Sequence, residues 1–157
     1  MLAMTGAPIR AFVCLREGLD CPRSGPGLRY LGFIWGPEEA VRNLYHDQSF
    51  ADRILALTPT EAQMDVVLRN RFTMAKLGWQ PRWFNPDLEK WLHRLKLPAL
   101  VIWGDDDKIM PPANAALWCE RLPHARLVMV DKCGHLPHVE QPAIVAGQIL
   151  DFLEGAV

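Results

Sequence analysis

The architecture follows from residues 98–141, which read PALVIWGDDDKIMPPANAALWCERLPHARLVMVDKCGHLPHVEQ. Residues 98–103 form an unbroken apolar run, and residues 125–130 nearly form another. Apolar runs of this length, rich in branched residues, are typical of strands that are covered on both faces. Between them, a pair of prolines leads into a helical pattern that ends at Pro123. A helix between two strands predicts a right-handed crossover and therefore a parallel strand pair.

Reactive side chains follow both predicted strands. The first strand leads into residues 104–107, GDDD, and the second leads into residues 133–135, CGH. Because the carboxyl ends of parallel strands meet at one edge of a sheet, we expect a carboxylate and an imidazole side by side at that edge. A carboxylate that accepts the Nδ1 proton of a histidine fixes its tautomer, so that Nε2 can take a proton from a nucleophile. The pattern predicts two members of a hydrolytic triad.

This arrangement resembles the C-terminal part of the α/β-hydrolase family. In that family the acid lies in a G-x-x-D turn, which Gly104 and Asp107 match, and the histidine lies in a G-H turn, which Gly134 and His135 match. The resemblance implies Asp107 as the orienting acid and His135 as the general base. It also implies an α/β fold of which this chain is a C-terminal fragment, a parallel strand pair with flanking helices, preceded by a helical cap-like segment. The chain order Ser, Asp, His places the nucleophile before both residues.

Simpler interpretations of these residues stay open. Aspartates between a strand and a helix commonly cap the helix or close the turn, because they accept hydrogen bonds from free backbone amides. We assign that role to Asp105 and Asp106, and a single histidine after a strand is often a packed or surface residue. A metal site of Cys133, His135 and His138 with the aspartate cluster is a further alternative, since zinc accepts such ligands. The resemblance explains His135 without a metal, so we expect neither a metal nor a cofactor.

Residues 36–95 carry a succession of helical patterns. A proline followed by two glutamates predicts the first helix, and a second helix is expected to open at Ser49. Thr60 and Gln63 form a capping box for a longer third helix. The resemblance implies that this segment is the later part of a cap that roofs the active site. Within it, residues 45–49 resemble cap sequences of hydrolases that cleave carbon–carbon bonds in ring-cleavage products.

Aromatic and methionine side chains of the cap-like segment are candidates for a substrate pocket. Trp79, Trp83 and Phe84, together with Met64 and Met74, would give such a pocket apolar walls. Ordinary helix packing is the simpler explanation for any one of them. The resemblance therefore implies a small, largely apolar substrate and the hydrolysis of an ester, an epoxide or a carbon–carbon bond.

The chain also departs from the pattern of the family. Serine occurs only at Ser24 and Ser49, and neither lies in a G-x-S-x-G turn. No cysteine or aspartate lies in an equivalent glycine-framed turn, and the early strands and the oxyanion loop of the family are missing as well. We therefore expect no serine-hydrolase turnover from this chain by itself. A non-catalytic binding or interaction module that kept the shape of the fold is the alternative function.

Composition limits the partners and the compartment. The 17 basic and 18 acidic residues leave a net charge of −1, which favours neither nucleic acid nor an anionic membrane as a partner. No apolar run approaches the ~20 residues of a membrane helix. The expected partner is a small-molecule substrate. Four cysteines without CxxC spacing, and a start that lacks the features of an export signal, favour a cytoplasmic protein with reduced thiols.

Three parts of the chain are predicted. Residues 1–35 show no legible pattern, so they stay unassigned, with disorder as one interpretation. Residues 36–95 form the cap-like segment, and residues 96–157 form the C-terminal part of the hydrolase core. Because a strand pair leaves edges unpaired, we also expect self-association through an exposed sheet edge.

Overall fold

The computed structural model describes residues 12–14, 35–78 and 87–155. Along the described residues, a short strand comes first, four helices follow it, and two further strands then enclose the fifth helix. In chain order the elements are β1 (Phe12–Cys14), α1 (Pro37–Arg42), α2 (Gln48–Leu55), α3 (Glu61–Gly78), α4 (Leu88–Leu92), β2 (Ala99–Gly104), α5 (Ala113–Arg121), β3 (Ala125–Val130), α6 (Pro137–Glu140) and α7 (Pro142–Gly155). The strand, helix and strand predicted for the second half of the chain are β2, α5 and β3.

The described sheet has three parallel strands in the order β1-β2-β3. The register of the predicted pair places Ala99 opposite Ala125 and Gly104 opposite Val130, so β2 and β3 end level at one edge. β1 pairs with the start of β2 and is an addition to the prediction, since a strand of three residues is too short to show a period. The remaining residues of 1–34, for which disorder was one interpretation, lie outside the described part.

β2 is covered on both faces, as its apolar run predicted, and all six of its residues are buried. Side chains that alternate along a strand point to opposite faces of the sheet. One face joins a cluster with α4 and α5, made of Leu92, Ala99, Val101, Trp103, Ala115, Trp118 and Leu122. The other face joins a cluster with α7, made of Leu100, Ile102, Val130, Cys133, Val145 and Phe152. Apolar burial on both faces therefore fixes the strand that delivers the acid turn.

β3 is less covered than its sequence suggested. Arg126 and Met129 are exposed, and Val130 is the residue of the strand that is fully buried. β3 lies at an edge of the described sheet, and its exposed Arg126 donates a hydrogen bond to the Gln148 side chain of α7. The prediction of cover on both faces is therefore right for β2 and wrong for β3.

Side-chain caps set the starts of two helices. α2 begins at Gln48, one residue before the predicted start, because Asp47 is its N-cap and accepts a hydrogen bond of 2.9 Å from the Ser49 amide. The capping box of α3 forms as predicted. Gln63 Oε1 accepts from the Thr60 amide at 2.9 Å, and Thr60 Oγ1 accepts from the Gln63 amide at 3.3 Å.

α3 and α4 differ in how they meet the core. Residues 61–73 of α3 are exposed throughout, whereas Leu92 of α4 is buried against β2. The end of the predicted cap thus packs on the sheet, and the division at residue 95 stays a prediction. Within the described ranges, no helix combines the length and the apolar character that a membrane span requires.

Candidate active site

Asp107 lies in the turn that follows β2. Its Oδ1 accepts hydrogen bonds from the backbone amides of Ile109 at 2.9 Å and Met110 at 2.8 Å. The Trp103 indole donates to the Met110 carbonyl at 3.1 Å, which ties this turn to the strand. Asp107 as a whole residue is 7% exposed. One carboxylate oxygen is therefore fixed by the backbone, and the other is directed toward the neighbouring turn.

His135 occupies that neighbouring turn, after β3. Its Nδ1 lies 2.8 Å from Asp107 Oδ2, and both side chains are buried. The His135 backbone amide donates to the Leu44 carbonyl at 2.9 Å. The chain reaches this position through Lys132, whose left-handed φ of 51° turns the backbone just beyond β3. The structure thus brings together the carboxylate and the imidazole that the sequence placed at one sheet edge.

Besides the contact of Asp107 with His135, three hydrogen bonds join the acid turn to the end of β3 and the histidine turn. The amides of Asp105 and Asp106 donate to the carbonyls of Val130 at 3.1 Å and Cys133 at 3.0 Å. In return, Asp105 Oδ1 accepts from the Cys133 amide at 3.1 Å, and this hydrogen bond holds the pKa of the Asp105 carboxyl below its ordinary value. Asp105 therefore has the turn-stabilising role assigned to it, although the amide that it binds belongs to the opposite turn.

Two glycines allow the segments of the site to touch. A Cβ on Gly104 would lie 2.1 Å from the Gly134 carbonyl oxygen and 2.3 Å from that of Cys133. A Cβ on Gly134 would lie 2.7 Å from the Leu44 carbonyl oxygen and 2.8 Å from the His46 amide nitrogen. These neighbours are backbone atoms, which cannot rotate away as a side chain can. Close packing therefore requires glycine at both positions.

A second histidine lies beside the pair and was not singled out from the sequence. His46 Nδ1 lies 2.9 Å from Asp106 Oδ2, and both side chains are partly exposed. Lys108 Nζ lies 3.5 Å from the same oxygen. His46 comes from the loop after α1, far away along the chain. The one signal that could have found it is the resemblance of residues 45–49 to cap sequences.

The residues of the alternative metal site differ in their exposure to solvent. Cys133 and His135 are buried, whereas His138 is exposed on α6. Burial, with a smaller effect of the Glu140 charge, raises the pKa of the Cys133 thiol to about 12. A thiol with this pKa stays protonated near neutral pH and is a poor nucleophile. Across the described residues, no group of three or more His, Cys, Asp or Glu side chains could hold a metal ion.

The predicted pocket residues fall largely outside the described part of the structure. Trp79, Trp83 and Phe84 lie outside the described residues, as does the side chain of Met74. Met64 is 42% exposed on α3, so the described structure places it neither in helix packing nor in an enclosed pocket. The predicted apolar pocket therefore stays a prediction.

Several known proteins resemble this chain in sequence. The sequence profile of a family described as alpha/beta hydrolase fold matches residues 29–142. The chain is 41% identical over 64 residues to a poly(3-hydroxyalkanoate) depolymerase from Ectopseudomonas oleovorans, covering 41% of this chain and 22% of that protein. It is 33% identical over 106 residues to the 2-hydroxy-6-oxononadienedioate/2-hydroxy-6-oxononatrienedioate hydrolase of Paraburkholderia phymatum, covering 62% and 36% respectively.

Solved structures show the same likeness in three dimensions. A serine hydrolase from the bacterium Cycloclasticus zankles superposes with a TM-score of 0.63 at 19% identity, over 83% of this chain and 50% of that one. A bacterial membrane phospholipase A superposes with a TM-score of 0.62 at 20% identity, over 93% and 48%. Identities this low show the fold alone. The chain spans about half of these structures, and the matched part of each curated relative is smaller still.

Proposed function

This chain belongs to the α/β-hydrolase fold family, and on that premise we propose that it carries the acid and the base of a hydrolase. In this proposal His135 is the general base and Asp107 is the acid that orients it. The observation that supports the proposal is the 2.8 Å contact between His135 Nδ1 and Asp107 Oδ2 in a buried setting. The proposed reaction is hydrolysis of an ester, an epoxide or a carbon–carbon bond in a small, largely apolar substrate.

The contacts of Asp107 suit it to this role. Two backbone amides already occupy Oδ1, so Oδ2 is the oxygen that remains for the imidazole. A carboxylate that holds the Nδ1 proton leaves the Nε2 lone pair of His135 free to take a proton from a nucleophile. The imidazolium that forms is stabilised by the same carboxylate, more strongly because both groups are shielded from water. The proton then passes from Nε2 to the leaving group.

In this proposal the nucleophile comes from sequence outside these 157 residues. The 157 residues contain no G-x-S-x-G turn, and Ser24 and Ser49 lack the glycine frame of a nucleophile. We place the nucleophilic serine or aspartate, and the backbone donors of an oxyanion hole, in sequence that is not part of these 157 residues. Taken alone, the chain should have no turnover, since residual catalysis in a broken triad depends on the oxyanion hole.

The names of the relatives support hydrolysis without choosing the bond. One is a depolymerase and another is a hydrolase of a 2-hydroxy-6-oxo dienedioate. Residues 45–49, which resemble cap sequences of carbon–carbon bond hydrolases, directly follow Leu44, whose carbonyl accepts a hydrogen bond from the His135 amide. The proposed partner is a small-molecule substrate in the cytoplasm. Self-association is proposed through the β3 edge, where Met129 is exposed.

The proposed function is tested by hydrolysis of a short-chain p-nitrophenyl ester. The 157-residue chain and the product of the longest reading frame that contains it are each compared with a His135→Ala variant. The chain alone should match its variant, whereas the longer product should turn over and lose roughly 10³-fold or more in kcat on substitution. Turnover by the chain alone that depends on His135 would refute the missing nucleophile. A longer product that stays active without His135 would refute the base.

A second candidate function is a non-catalytic interaction module that retained the fold. The exposed apolar side chains of α3 favour it, because large apolar groups on a surface commonly mark binding sites. They are Met64, Val66, Val67, Leu68 and Phe72. A longest reading frame without any nucleophile turn would favour this candidate over the hydrolase.

A further inference from the structure

We infer that Glu140, at the end of α6, is a positioning residue for His135, an inference that rests on the proposed function. Its carboxylate lies between two segments that are distant along the chain. On one side, Oε1 accepts hydrogen bonds from the backbone amides of His46 at 2.8 Å and Asp47 at 2.9 Å. The loop after α1 is thereby attached to this glutamate through two backbone amides.

On the other side, the same carboxylate holds the residues that precede the histidine. Oε2 accepts from the Gly134 amide at 2.6 Å and lies 3.7 Å from Cys133 Sγ. Gly134 directly precedes His135, so this hydrogen bond acts on the peptide from which the imidazole extends. Hydrogen bonds to an ionised acceptor are shorter and stronger than those between neutral groups, which suits a fixed anchor.

The two attachments of Glu140 hold the histidine turn against the loop. His135 donates its own amide to the Leu44 carbonyl at 2.9 Å, and Gly134 touches the same loop with no room for a Cβ. On the opposite side, the Asp106 amide donates to the Cys133 carbonyl at 3.0 Å. The turn is thus fixed between the acid turn and the loop. On the loop side, Glu140 adds an acceptor for the Gly134 amide to the Leu44 carbonyl and so sets where the imidazole meets its acid.

The chemistry of this anchor requires a carboxylate of this length. A glutamine offers one acceptor oxygen, and its amide group would face either the Gly134 amide or the loop amides, donor against donor. An aspartate keeps the charge but is one methylene shorter, so it cannot reach both segments at once. Both variants therefore release one side of the turn while leaving Asp107 and His135 themselves intact.

The test uses proton NMR of the 157-residue chain to follow the low-field Nδ1 proton of His135 and its exchange with water. In Glu140→Gln and Glu140→Asp we expect this proton to exchange roughly tenfold to a hundredfold faster, the factor that loss of one hydrogen bond to a charged group predicts. Glu154→Gln removes an equal charge from an exposed site near the end of α7 and should leave exchange unchanged. Leu122→Ala weakens the core on the other face of the sheet and should leave the resonance in place.

Each outcome has a defined meaning. A folded Glu140 variant with the exchange rate of the wild type overturns the inference. If both Glu140 variants unfold by circular dichroism, the glutamate supports the whole domain rather than the histidine, and the inference is wrong. Faster exchange that Leu122→Ala reproduces equally would also overturn it. A wild-type spectrum without a low-field His135 proton overturns the proposed function itself, whereas a normal wild-type spectrum keeps that function and isolates the role of Glu140.

Discussion

The substitution Gly104→Ala adds one methyl group where β2 comes closest to the histidine turn. The new Cβ would lie 2.1 Å from the Gly134 carbonyl oxygen and 2.3 Å from the Cys133 carbonyl oxygen, where ordinary contact begins at 3.4 Å. Both oxygens belong to the backbone, and the Cys133 carbonyl accepts from the Asp106 amide. Relief of the overlap therefore requires the strand end and the histidine turn to separate.

The structure sets the size of the expected effect. Overpacking in a core costs about 1–3 kcal/mol, and separation of the turns would also break the hydrogen bonds between Cys133 and the acid turn, about 1 kcal/mol each. We expect Gly104→Ala to lower the free energy of unfolding by roughly 3–5 kcal/mol, a large share of the stability of a domain. Gly147→Ala is the matched control, since its Cβ would meet nothing within 4 Å in the middle of α7. It should stabilise the chain by about 0.5–1 kcal/mol, because alanine favours helix more than glycine does.

Urea unfolding, followed by far-ultraviolet circular dichroism, measures both changes. The unfolding midpoint should fall for Gly104→Ala and rise for Gly147→Ala. The cause at Gly104 is steric, because neither glycine has a backbone conformation that excludes alanine. An unchanged midpoint for Gly104→Ala, or shifts of the two variants in one direction, would refute the close approach of β2 to the histidine turn.

Three further outcomes follow from the same contacts. Asp107→Ala removes the acceptor of two backbone amides and of the imidazole in a buried site. Urea unfolding should therefore show a free energy of unfolding that is lower by about 2–5 kcal/mol. A near-neutral change would contradict those contacts. Because burial raises the pKa of Cys133 to about 12, iodoacetamide should label it slowly in the native chain and readily in urea, as read by peptide mass spectrometry; rapid native labelling would show an open site. The Cys133 amide lowers the pKa of Asp105 in the folded chain below 3.8, so the unfolded state takes up the proton first as the pH falls. The stabilisation is present above the pKa of Asp105 in the unfolded state and is lost as the pH falls through its pKa in the folded state. Asp105→Asn should therefore reduce the loss of unfolding free energy at acidic pH in urea titrations. An identical acid dependence in the variant would refute the effect.

The central strands could be predicted because their sequence signals are local. Residues 99–104 and 125–130 are apolar runs that end at a glycine or an aspartate, and the helix between them fixes their parallel direction. β1 could not be predicted, because three residues carry no period and its pairing with β2 is a tertiary contact. The exposure of β3 was missed for a related reason, since an apolar run does not reveal whether its strand has one neighbour or two.

The candidate site divides in the same way. Asp107 and His135 could be placed together because each follows a strand, and the register brings both strand ends to one edge. His46 could not be placed, since its loop reaches the site by packing against Gly134 rather than by any spacing along the chain. The anchoring contacts of Glu140 were likewise hidden, because backbone amides from a distant segment leave no mark in the sequence.

The decisive measurement is the position of the ring proton on neutral His135, read from its two ring-nitrogen shifts in the isotope-labelled chain. A base oriented by Asp107 carries this proton on Nδ1 and leaves Nε2 as the acceptor. We expect this tautomer in the wild type and its loss in Asp107→Asn. A wild-type His135 that carries the proton on Nε2 would contradict its role as the base, because Nε2 could then not take a proton from a nucleophile.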